Sequence, residues 1–296
     1  MTVKLKVDKL SFVMYIVFAI AYALIISVYN IFKKCAVKKT NEVAVLVLFV
    51  TVSFLCSLMW IPKLTGITTE LLLIFVLKGI ICPINWFLVL KVLKSANLSC
   101  VSLTTVVSTV FVFIIGLTIF GESASFIQYF GATIILFSAI AINFINKKNN
   151  EPLSIRQVVY LIISALISTA CSVIDKYTTQ HLSNFEVQFW FLLFACLFTW
   201  CLTIVDALIH KTWPIKKQDF KNFWIYLAGI ALFVADVFLF LSYVEPGSRL
   251  IMINVLTKLK TIFAVIFGVI IFKEKNKWLK ILVASFAFAG VILISL

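Results

Sequence analysis

INVLTKLKTIFAVIFGVIIF, residues 253–272, is a largely apolar stretch that carries Lys258 and Lys260. At about 1.5 Å per helical residue it can cross the roughly 30 Å hydrocarbon core of a bilayer. A lysine at the centre of a membrane helix costs roughly 2.5–3.5 kcal/mol on insertion scales, so it ordinarily faces a cavity or a partner. Whether these two lysines mark a polar path depends on what the rest of the chain supplies.

The chain has 296 residues, 63% of them hydrophobic and 13% charged, with a mean hydropathy of +1.13. Apolar runs long enough to span a membrane recur along its whole length, so the chain reads as an all-α integral membrane protein. The net charge of +14 does not point to nucleic acid, because the lysines fall mostly between apolar runs. There they set topology and meet anionic lipid headgroups. The seven cysteines (35, 56, 82, 100, 171, 196 and 201) are scattered, form no CxxC pair and read as small packing residues. The basic N-terminus leads into an apolar run of more than about 20 residues with no small-residue cleavage site. It reads as a first span, not as a removed signal peptide.

Ten apolar runs lie near residues 11–32, 42–61, 70–93, 97–119, 125–145, 155–178, 185–208, 221–243, 247–272 and 277–296. The longest polar break, NKKNNEPLSIRQ (146–157), divides them five and five. The halves resemble each other. TVFVFIIGLTIFGE (109–122) aligns without gaps with TIFAVIFGVIIFKE (261–274), matching Gly116 with Gly268 and Glu122 with Glu274. The same offset pairs Ala132 with Ala284 and Ile140 with Ile292. This predicts two five-helix repeats, residues 1–148 and 149–296, in one membrane domain. A unit with an odd number of spans ends on the face opposite its start, so tandem copies are inverted across the membrane. Inverted repeats are typical of alternating-access carriers, with the substrate near the midplane.

These features resemble the ten-helix EamA-type members of the drug/metabolite transporter superfamily. The resemblance covers essentially the whole length. It rests on the five-plus-five duplication, the short loops and the Gly-x-x-x-Phe-x-Glu endings of the fourth and ninth runs. It implies a multi-pass protein of the bacterial cytoplasmic membrane, with the third, eighth and ninth helices lining a central cavity.

Polar residues inside the runs suggest where a substrate binds. The counterparts of Lys258 and Lys260 in the first half are Val106 and Ser108, so the lysines are not part of the repeated scaffold. Asn254, Lys258 and Thr261 share one helical face, while Lys260 points about 200° away from Lys258. A continuous helix would therefore turn only one lysine into the cavity, and the polar stripe favours Lys258. Lys78 and Asp236 lie roughly 12 Å from the face holding the N-terminus, and Lys258 about 16 Å. Pro83 predicts a break in the third helix beside Lys78, and Asn85 extends that polar stripe. Lys78, Asn85, Asp236, Asn254, Lys258 and Lys260 are thus the substrate-binding candidates. Asn30 and Asp175, near helix ends, are gate or rim candidates.

Plainer roles compete with these. Lys78 and Asp236 could be a structural ion pair. Asp206 and Glu245 sit near helix ends and read as interfacial. Glu122 and Glu274 read as caps of the turns after their helices. Tyr22, Trp86, Trp190 and Tyr243 fit an aromatic cavity lining or an interfacial belt equally well.

The motifs of membrane enzymes are missing. There are two histidines, His181 and His210, and the sequence has no HExxH, GxSxG, DDxxD or Walker motif. The expectation is a secondary-active carrier that needs no cofactor and works by alternating access. Its substrate would be a small anionic or zwitterionic metabolite, amino acids or related organic acids first. A flippase for a polyprenyl-phosphate or lipid-linked substrate is the alternative. The lysine surplus argues against export of cationic drugs. With both halves on one chain, a monomer suffices. Charge bias in the odd-numbered connections, for instance Lys33, Lys34, Lys38 and Lys39, puts the termini outside, whereas the resemblance implies cytoplasmic termini.

Overall fold

The structure, a computed structural model, describes residues 2–118, 124–148, 153–245, 253 and 256–296. Among the described residues there are helices and short connections, and no strand. The first three spans are α1 (Thr2–Val37), α2 (Glu42–Ser57, continued by a 3-10 turn at Leu58–Lys63) and α3 (Thr69–Leu93). The fourth is divided into α4 (Leu98–Thr105) and α5 (Ser108–Thr118). Spans five to eight are α6 (Phe126–Lys148), α7 (Ile155–Thr179), α8 (Asn184–His210) and α9 (Phe223–Val244). The ninth contains α10 (Leu259–Ile271), and the tenth is α11 (Lys277–Ser295). Nine helical stretches among the described residues are long and apolar enough to cross a membrane, and α10 is a shorter apolar helix. Helix is the expected solution, since a backbone in hydrocarbon must satisfy its own hydrogen bonds.

Helix starts carry local signals. The Asn41 side chain accepts from the Val43 N–H at 3.0 Å. Ser154 with Gln157, and Ser183 with Glu186, form reciprocal capping boxes at the starts of α7 and α8.

Continuity departs from the sequence expectation twice. The third run does not break at Pro83; α3 is one helix. The proline loses a single backbone bond, and tight packing compensates: a Cβ on Gly79 would come within 2.5 Å of the Phe194 Cβ of α8. The fourth run does break, at residues 106–107, and a turn sits at Lys258 in the ninth. Both breaks are tightened turns. The Thr109 N–H donates to the Val106 carbonyl at 2.9 Å, and the Thr261 N–H donates to the Lys258 carbonyl at 2.9 Å.

α1 packs along α9 and α10, α2 along α8 and α9, and α3 along α7 and α8. α4 and α10 meet, and α6 pairs with α11. In that last pair Gly131 and Gly290 allow backbone contact, since a Cβ on either would lie 2.7 Å from the other's carbonyl oxygen. The main core includes Tyr29, Phe49, Phe75, Leu192 and Leu232. Outward, Phe126, Phe130, Phe137 and Phe144 stand exposed on α6, a surface suited to acyl chains rather than water.

Glu274 does more than the sequence reading expected. Besides bridging the turn that follows its own helix, it caps α4 in the other half. The Leu98 N–H donates to its Oε1 at 3.0 Å, and the Ser99 hydroxyl donates to Oε2. Lys280 Nζ donates to Oε2 at 2.9 Å, and Lys34 Nζ stands 3.9 Å from Oε1. A carboxylate at a helix N-terminus is favoured by the exposed N–H groups and the dipole. Gly268 explains the glycine of the shared motif, because a Cβ there would lie 2.9 Å from Glu274 Oε1. Glu122 lies outside the described residues.

Candidate functional site: a lysine-lined central cavity

A cavity of about 210 Å³ lies between the two halves, bounded by α1, α3, α4, α7, α8, α9 and the turn at Lys258. Of the candidates from sequence, Lys78, Asn85, Asp236, Lys258, Lys260, Asn30 and Asp175 all line it. Asn254 lies outside the described residues. Tyr22, Trp86 and Tyr243 also line the cavity, whereas Trp190 packs between Phe189 and Phe194.

Three placements differ from the sequence reading. First, both Lys258 and Lys260 reach the cavity. The 200° separation assumed an unbroken helix, and the turn at Lys258 removes that assumption. Lys258 Nζ donates to the Ser108 hydroxyl of the first half at 2.9 Å. Lys260 Nζ lies 5.8 Å from the Tyr22 ring centroid, and its backbone carbonyl accepts from the Ser27 hydroxyl at 3.0 Å.

Second, Asp175 is no rim residue. It is buried and ion-paired with Lys78, a partner that sequence reading had offered to Asp236. The Lys78 ammonium also sits over the Phe191 ring at 3.7 Å and 5.2 Å from that of Phe240. Ring faces stabilise a desolvated cation, which helps hold this lysine charged inside the protein. Asp236 is buried as well, and among the described residues its Oδ2 has no hydrogen-bond partner.

Third, Lys33 belongs to the cavity. From sequence it had been counted with the topology-setting lysines of the first connection. It is instead 3% exposed, near the end of α1, with its ammonium 4.3 Å from the Tyr29 ring centroid. The signal was available: Tyr22, Tyr29 and Lys33 follow one another at i, i+7 and i+11, on one helical face.

Cys82 and Cys171 also line the cavity, their sulfurs 2.9 Å apart. Both thiols are free. One turn away Asn85 accepts from the Ser164 hydroxyl, so the α3–α7 seam carries an ion pair, a thiol pair and a hydrogen bond in succession. At full ionisation the cavity holds four lysines and two aspartates, a surplus of two positive charges. Among the described residues no group of three or more histidines, cysteines or acids is placed to hold a metal ion.

Residues 155–296, from the start of α7 onward, match the model of the EamA-like transporter family. The second half of the chain is thus similar to the EamA-like transporter family. Together with the recurring apolar helices, that match supports a multi-pass membrane transporter of the drug/metabolite type rather than an enzyme. No curated protein sequence matches it. Solved chains that resemble it include a crystal structure with a TM-score of 0.60, covering 93% of this chain and 98% of its own at 12% identity. That likeness shows a shared fold.

Proposed function

We propose that the protein is a secondary-active carrier of small anionic or zwitterionic metabolites, amino acids or related organic acids, in a bacterial cytoplasmic membrane. One observation carries the reading: a cavity between the halves holds four lysines against two aspartates. Its volume, about 210 Å³, is below the roughly 300–1,000 Å³ of drug-sized pockets, which favours a small metabolite. A ligand carboxylate would meet Lys258 and Lys260, and an ammonium group would meet Asp236.

Alternating access needs two units that rock about a central site. The packing supports reading residues 1–148 and 149–296 as such units. Exchanging the halves carries the α1–α9 contact onto α7–α3, and the α2–α9 contact onto α8–α3. It also carries the turn at Val106 onto the turn at Lys258, 152 residues later, the offset of the sequence repeat.

Uptake into proteoliposomes, measured against a panel of amino acids, organic acids, phosphorylated metabolites and cationic drugs, tests the assignment. Small carboxylates should be taken up by the wild type and lost with Lys258→Met, while the variant is made in normal amount. Unchanged uptake in that variant removes the assigned site. Binding of isoprenoid phosphates alone would replace the carrier with a flippase.

A further inference from the structure

We infer that the carrier's substrate bears a doubly negative group, a phosphomonoester or a dicarboxylate, gathered by Lys33, Lys258 and Lys260. This rests on the carrier reading and narrows its substrate class.

The argument begins with what the three ammonium groups touch. Lys78 has its own carboxylate in Asp175. The other three cavity lysines have none: among the described residues the ion pairs are Lys34–Glu274, Lys78–Asp175, Lys94–Glu42, His210–Asp206 and Lys280–Glu274. Their contacts are neutral. Lys258 donates to a serine hydroxyl, while Lys33 and Lys260 face the rings of Tyr29 and Tyr22. A ring face stabilises an ammonium but accepts no conventional hydrogen bond, so N–H donors stay available to a ligand. All three line the one cavity.

Charge then selects the ligand. With the Lys78–Asp175 pair set aside, three ammonium groups face one carboxylate, that of Asp236. A singly charged anion leaves one buried positive charge uncompensated, and a dianion leaves none. Unpaired charge in a buried site is costly, so occupancy by a dianion is the favoured state. Lys33 is the residue that distinguishes the two cases, because Lys258 and Lys260 already suffice for one carboxylate.

The test is thermal stabilisation of the full detergent-solubilised chain by inorganic phosphate, succinate, acetate and alanine. It is run near neutral pH, where phosphate is already substantially doubly charged. Wild type should be stabilised by phosphate or succinate at concentrations where acetate and alanine do nothing. Which of the two acts tells a phosphate site from a dicarboxylate site. Apparent affinity for the dianion should fall about tenfold or more in Lys33→Gln, and Lys33→Arg should recover it. If Lys33→Gln does not fold, the wild-type contrast between the dianions and acetate decides the question alone. Equal stabilisation by acetate, or full dianion binding by Lys33→Gln, overturns the inference. Proteoliposome uptake separates the two levels. Alanine uptake that depends on Lys258, without dianion preference, leaves the carrier standing and removes the dianion. Dianion binding without uptake of any solute does the reverse.

Discussion

Lys78 of α3 and Asp175 of α7 form a buried ion pair, and one helical turn along each helix Cys82 and Cys171 bring their sulfurs to 2.9 Å. Numbers rise along α3 as they fall along α7, so the two helices run antiparallel with a fixed register. The seam joins the two halves and lines the cavity. In an alternating-access carrier it is a place where motion must be permitted or resisted.

The ion pair should behave as a unit. Lys78→Met leaves the Asp175 carboxylate buried without a partner, which should cost about 3–5 kcal/mol. The double variant Lys78→Met with Asp175→Leu removes both charges and should recover much of that loss. Unfolding of the four proteins of this cycle, followed in detergent, measures the coupling. A double-variant loss equal to the sum of the two single losses would mean that the pair contributes nothing as a pair.

The thiols offer a latch for the seam. A disulfide reagent such as diamide should take two electrons and two protons from Cys82 and Cys171 and join α3 to α7 covalently. Uptake should then fall, return on reduction, and be insensitive to oxidant in Cys82→Ser. Mass spectrometry of the crosslinked peptides identifies the bond. Full uptake by the crosslinked protein would show that the seam keeps its spacing throughout transport.

Spans were legible in the sequence because a bilayer demands about 20 apolar residues and internally satisfied backbone, whatever the neighbours do. The site was legible only in outline. Lys78, Asn85, Asp236, Lys258 and Lys260 stood out as polar groups inside apolar runs, and all line the cavity. What escaped depended on relations between helices. Depth counted along each helix separately put Asp175 at the rim, whereas the α3–α7 packing brings it to Lys78. Lys33 was hidden by its company, a run of lysines whose other members include Lys38, which is exposed. The turn at Lys258 has no proline or glycine to announce it.

Glu274 ties α1, α4, α10 and α11 together, so its charge should matter more to stability than to transport specificity. Glu274→Gln keeps the size but leaves Lys280, which is fully buried, without its counter-ion. Loss of about 3–5 kcal/mol is expected, partly restored by adding Lys280→Met. Gly268→Ala should act in the same direction by pushing the carboxylate away from α4. Solutes taken up by the surviving protein should keep their rank order. A reordered panel would place Glu274 in the transport path.

Asp236 should show the opposite separation. Its Oδ2 is buried and, among the described residues, without a hydrogen-bond partner, so replacing the carboxylate by an amide breaks no hydrogen bond at that oxygen and lifts the cost of burying a charge there. Asp236→Asn should therefore unfold within about 1 kcal/mol of wild type, or later than it. Uptake should discriminate by charge. Solutes carrying an ammonium group should lose about tenfold or more, because their counter-ion is gone. Simple anions should be spared, or bind more tightly, because the cavity becomes more positive. A destabilisation of several kcal/mol with all solutes equally impaired would make Asp236 a structural partner of Lys78. Retained uptake of ammonium-bearing solutes would remove the zwitterion half of the proposed substrate range.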